Sequence, residues 1–210
     1  MRFPDFFDQV PRLRVRDPLA DFLGAAEGGL LDYGYADAVR LAGHSCPTVA
    51  TAYVLGHRAL SLLYPDAVPE RGGVRIDLAE PLEAGVTGVI ASVLTLLTGA
   101  ASGAGFKGIG GRFCRRDLQR FGVELPLMLR LTRLDTGAAV DAGADTAPVP
   151  ADPELPGLMQ RCLGGAADAE GRRRFASLWQ DRVRRLLLDH WDDPEVFLVR
   201  PVTVTPTAGQ

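Results

Sequence analysis

Residues 85–101 form the longest apolar run in the chain, and they narrow the folds available to it more than any other segment. The run is shorter than the roughly 20 residues a membrane span requires, and Thr87, Ser92, Thr95, Thr98 and three glycines interrupt it. A helix that is apolar on most faces has to be enclosed by other elements. Residues 85–97 are therefore expected as a central, buried helix. The 210-residue chain, 47% hydrophobic and 23% charged, has enough apolar material to surround it.

The flanking punctuation gives the other elements. Asp17 and Pro18 open a short helix, as a cap and a first-turn proline. Residues 35–42 have helical periodicity and stop at Gly43, the usual left-handed terminator. Pro47 then suits the first turn of a second helix running to Tyr64, with Val49, Ala50, Tyr53, Val54, Ala59, Leu60, Leu62 and Leu63 in helical period. Residues 73–79 alternate apolar and polar like a half-buried strand. Residues 124–134 and 138–141 read as a hairpin around Asp135, Thr136 and Gly137. Residues 155–191 are helical, and residues 195–200 read as a closing strand. The fold class expected is α+β: one domain with a central buried helix, a small, mostly antiparallel sheet and additional C-terminal helices. Its divisions are an N-terminal extension (1–30), a core (31–141), a linker (142–154), C-terminal helices with the closing strand (155–200) and a tail (201–210).

Several function classes are disfavoured. A formal charge of −3 with no cationic block does not suit a phosphate-tracking surface. The arginines at 172–174, 182, 184 and 185 alternate with acids, as on a solvated face. No nucleic acid and no membrane are expected as partners. The N-terminus lacks a secretory pattern, and the odd, scattered cysteines Cys46, Cys114 and Cys162 fit a reducing compartment, so the setting expected is cytoplasmic. No C-x-x-C pair is present, which excludes a self-contained zinc ribbon or iron–sulfur site. His57 and His190 read as solvated.

The chemistry concentrates on His44 and Cys46. They lie two residues apart in the tight connection between two helices, and an imidazole and a thiol are both good ligands for zinc or another transition metal. A thiol at a helix N-terminus also has its thiolate form favoured by the exposed amides. The bland alternative is a capped turn, with the imidazole bonded to backbone and Cys46 packed as a small hydrophobe.

Gly43, His44, Ser45, Cys46 and Pro47, followed by a helix carrying Tyr53, resemble the Gly-His-x-Cys-Pro-Gly signature of the formylmethanofuran dehydrogenase E-subunit family. The resemblance extends through Val74, residues 85–90, Leu97 to Gly99, the Phe106-Lys107-Gly108 loop, residues 112–116 and residues 195–199. It implies an α+β, dimeric domain binding a metal, often zinc, through His44 and Cys46. Ala42 stands where many members carry a second histidine, Thr48 replaces the glycine after the proline, residues 82–85 replace an Asp-x-Cys-Gly, and the C-terminal cysteine-rich finger is missing. Cys114, in a matched segment, is the leading further ligand, with a buried structural thiol as its alternative; Glu83 and Asp37 are further carboxylates. Tyr35 and Tyr53 are expected either to bond a bound group or to be core.

The resulting expectation is a metal-binding homodimer holding zinc or another transition metal at His44, Cys46 and Cys114. Residues 99–111 would close a pocket lined by Tyr35, Tyr53 and Lys107 around an unidentified small molecule or cofactor. Lys107 would stabilise negative charge there. Whether the protein is an enzyme stays open, since a shared domain does not carry formylmethanofuran chemistry with it. The alternatives are a haem-binding carrier or sensor using the Cys46–Pro47 thiolate, a metal-free thiol enzyme and an accessory subunit.

Overall fold

The computed structural model describes residues 2–202. From residue 203 on, the expected tail lies outside the described residues. Asp17 caps α1 (Pro18–Phe22) by accepting from the amides of Leu19 and Ala20 at 2.9 and 3.2 Å. The helix α2 (Tyr35–Ala42) ends at Gly43, whose φ of 77° is the left-handed value that favours glycine. Cys46 is then the N-cap of α3 (Pro47–Leu63), with Pro47 in the first turn. The long apolar run becomes α4 (Thr87–Thr98), closed by Gly99 at φ 71°.

Two sheets complete the α+β domain. The strands β1 (Leu13–Arg16) and β2 (Leu30–Tyr33) form an antiparallel ribbon. The main sheet contains β3 (Val74–Leu78), β4 (Gln119–Arg120), β5 (Leu129–Arg133), β6 (Ala139–Ala144) and β7 (Phe197–Pro201), in the order β4-β3-β5-β6-β7. Only the β3–β4 pairing is parallel. The inward residues Val74, Ile76, Leu129, Leu131, Val140 and Ala142 are buried against α3 and α4. The opposite face carries paired charges: Arg75 with Asp77, and Arg130 with Asp141 at 2.6 Å.

The linker expected over 142–154 is corrected at its start, because residues 142–144 are the end of β6. The small residues that resemble a linker are needed by a strand lying between β5 and β7. A side chain on Gly143 would come within 3.3 Å of Leu127 Cβ. Residues 155–191 contain a break: α5 (Leu155–Leu163) and α6 (Ala169–Arg184) fold together over Leu155, Leu158 and Leu178. A wide turn with π spacing, Arg185–Asp189, follows α6 and buries Leu186 and Leu187 in the main core.

The helices α3 and α4 run side by side in the same direction. Pro47, Thr48 and Thr51 share a cavity with Val86 and Ile90, and further along Gly56 faces Leu94 and Leu97. A Cβ on Gly56 would lie 2.8 Å from Leu97 Cδ1 and 2.9 Å from Leu94 Cδ2, both on fully buried side chains. Because the interior is close-packed, filling that contact is expected to strain it. Gly56→Leu should lower stability by about 1–3 kcal/mol, read as a lower urea midpoint with an unchanged m value.

Candidate functional site

The turn between α2 and α3 is held by α6. Trp179 Nε1 donates to the Ser45 carbonyl at 2.9 Å, and Gln180 Nε2 donates to the same oxygen at 3.3 Å. The Ser45 hydroxyl donates to Gln180 Oε1 at 2.9 Å, so the Tyr35 hydroxyl, also 2.9 Å away, is the donor to Ser45 Oγ. Ser45, the unassigned residue between the two candidate ligands, is the anchored one. Its partner lies 135 residues away, a distance that local sequence signals do not bridge.

His44 and Cys46 differ in environment. His44 is exposed, and its Nδ1 lies 3.0 Å from the Ala42 carbonyl. A carbonyl oxygen only accepts, so Nδ1 is the donor, which leaves Nε2 as the nitrogen that can ligate. Cys46 is buried at 9% exposure within the main apolar cluster, and its side chain makes no capping hydrogen bond. Among the described residues, no group of three or more His, Cys, Asp or Glu side chains converges as a metal site would require. The donors at this turn are therefore of the right chemistry for zinc but number two, where a closed tetrahedral site needs four.

Tyr35 is next to this turn, and Tyr53 is not free to serve a ligand. Both are fully buried. Burial pushes both phenols well above their ordinary range, opposed by the Ser45 hydrogen bond at Tyr35 and by the Arg12 charge at Tyr53. The Tyr53 hydroxyl sits between the carbonyls of Pro11 and Tyr33, at 2.8 and 3.0 Å. A buried hydroxyl without a partner would cost about 1–3 kcal/mol, so these bonds satisfy a need of the fold. Asp37 is similarly occupied, accepting from the Gly34 amide at 2.8 Å at the start of α2, while Glu83 is exposed. His57 is half-buried, edge-on to Trp191 at 5.0 Å, because α3 is enclosed on that side too.

Cys114 and Lys107 do not join His44 and Cys46. The α2–α3 turn leads into the start of α3, which lies beside the N-terminal end of α4, whereas residues 99–111 fold at the C-terminal end of α4, where the Phe106 carbonyl accepts from the Arg115 amide at 2.8 Å. Twelve residues of helix, about 18 Å at 1.5 Å per residue, separate the two ends. The pocket expected around His44 under this loop is therefore corrected: glycines 99, 103, 105 and 108 bring the loop back onto residues 112–117. Cys114 and Lys107 are both exposed there.

That other end carries a charged cluster with no local signature in the sequence. Asp17 accepts from Arg115 Nη2 at 2.7 Å and from Arg71 Nη1 at 2.5 Å, besides capping α1. Burial would raise its pKa, but Arg115, the α1 amides and Arg71 outweigh burial and hold it below the ordinary carboxylate range. Arg115 is itself buried at 7% exposure, in a space that exists because residues 72 and 99 are glycines: a Cβ there would lie 2.2 and 2.5 Å from Nη1.

No family model and no curated protein matches the chain. A solved structure does resemble it. A tungsten formylmethanofuran dehydrogenase FmdE-like protein from Syntrophus aciditrophicus is similar over 83% of this chain and 74% of its own, at 17% identity and a TM-score of 0.43. A likeness at that level does not assign residue correspondences.

Removing Asp17 would leave two buried guanidiniums without their counter-charge. Asp17→Asn is expected to cost about 3–5 kcal/mol near neutral pH. Because the folded-state pKa is depressed, this contribution is present above the ordinary carboxylate range and is lost as pH falls through the lower folded value. The stability gap between wild type and variant, followed by urea denaturation, should accordingly close in acid.

Proposed function

We propose that this protein binds a transition metal ion, zinc in the first instance, through His44 Nε2 and Cys46 Sγ at the mouth of α3. The observation that carries this reading is the contact between His44 Nδ1 and the Ala42 carbonyl. Metal-ligating histidines characteristically donate their other ring N–H to a carbonyl or carboxylate, which fixes the tautomer and orients the ligating nitrogen. The α6 contacts to Ser45 hold the residue between the two donors still, and Cys46 is the N-cap residue of α3.

With two protein donors, the remaining positions belong to solvent, to a small molecule or to a second copy of the chain in a homodimer. An ion with open positions would act as a Lewis acid or as an activator of bound water. A cytoplasmic setting belongs to the same reading, as the three free cysteines suit a reducing compartment. No helix among the described residues is long and apolar enough to cross a membrane.

A haem reading draws less support, since the cavity beside Pro47 and Thr48 is about 180 Å³, below the ~300–1,000 Å³ that drug-sized ligands occupy. A metal-free thiol reading would need Cys46 alone, and it draws on the donor set at this turn being too small for a closed metal site.

Elemental analysis of freshly purified protein should find near-stoichiometric metal, lost from both His44→Ala and Cys46→Ala. Metal-free wild-type protein, or metal retained by both variants, would overturn the proposal. A Soret band would move the assignment to haem, and rapid neutral-pH alkylation of Cys46 without metal release would move it to thiol chemistry.

A further inference from the structure

The cluster at the C-terminal end of α4 borders a cavity of about 310 Å³, whose walls include Arg71, Arg112, Arg115, Glu70, Phe113 and Cys114. We propose that this cavity is an oxyanion site, taking the phosphate or carboxylate end of a small molecule on Arg71 and Arg112 with Arg115 behind them. It is independent of the metal reading, being at the other end of α4.

Three observations lead there. First, the buried charges do not balance: Arg71 and Arg115 share the single carboxylate of Asp17, and their side chains are 17%, 9% and 6% exposed respectively. A net positive charge in a poorly solvated place favours an anion beside it. Second, Arg71 Nε and Arg115 Nη1 are buried with no hydrogen-bond partner, and native folds seldom leave such donors unmatched. Arg115 Nη1 is covered by protein, so an anion would stabilise it through the local field, while the ligand's contacts fall to Arg112 and the uncovered part of Arg71.

Third, Arg112 is on the cavity wall without a counter-charge. Its guanidinium lies 4.8 Å from the centre of the Phe113 ring, and Phe113 adopts a φ of 62°, a left-handed value costing a non-glycine residue about 1–3 kcal/mol. Among the described residues, Arg112 has no carboxylate within salt-bridge distance. Backbone strain next to a cation without a carboxylate partner, on the wall of a cavity, suits an incoming oxyanion. Glu70 is the carboxylate on this wall, and it competes with an incoming anion.

Arg115 and Asp17 support the fold, so the test uses the exposed residues. Isothermal titration of the full chain, at fixed ionic strength, would use inorganic phosphate in one arm and succinate in the other. One equivalent of at least one anion should bind. Arg112→Ala should weaken binding about tenfold or more, the equivalent of one charge-assisted hydrogen bond, and Glu70→Gln should tighten it. The saturating anion should also slow iodoacetamide modification of Cys114 but not of Cys162. Binding of phosphate alone, of succinate alone or of both supports the site and names its preference. Absence of binding in both arms, an unchanged affinity in Arg112→Ala, or unprotected Cys114 overturns it.

Discussion

Two helices with almost no polar side, packed in parallel through Gly56, set the terms for everything around them. Both are buried along most of their length: the main sheet covers them on one side, the Tyr35 and Tyr53 rings and β1 fill another, and the turn after α6 closes a third. Their common direction also gives the molecule two distinct ends. Parallel helices collect their N-termini at one end and their C-termini at the other, and the chain's two chemically interesting regions occupy those opposite ends.

This arrangement explains why residues that look equivalent in sequence have different surroundings. The α2–α3 turn is tied to backbone and to α6, with the His44 ring exposed and Cys46 buried beside it. The glycine-rich loop after α4 cannot reach that turn, because its Phe106 carbonyl is bound to the Arg115 amide beside Gly72 and Gly99. The loop instead belongs to the arginine cluster, and Cys114 belongs with it.

Features encoded over a few residues were legible. Gly43 and Pro47 marked the end of α2 and the start of α3, the apolar run marked α4, and alternation marked β3. The glycine at 137 placed the β5–β6 hairpin, since its φ of 74° suits the turn. Features that depend on contacts between distant segments were not. Asp17 reads locally as a cap, and nothing nearby announces guanidiniums 54 and 98 residues further on. Small residues at 142–144 carry the same composition in a linker as in an enclosed strand, and only the neighbours distinguish the two. At the candidate site, residue types were readable but the anchoring was not, because it comes from α6 through Ser45.

The triple engagement of Asp17 also governs how the N-terminal ribbon comes apart. A two-stranded ribbon is marginal by itself in water, yet β1 runs straight into a carboxylate that two distant guanidiniums need. Peeling β1 away would strip both cations of their partner at the same moment. The amides of residues 13–16 are thus coupled to the opening of the segments that carry Arg71 and Arg115 and should exchange with solvent on that timescale rather than as a fraying terminus. Trimming the chain before β2 would cut into the domain itself.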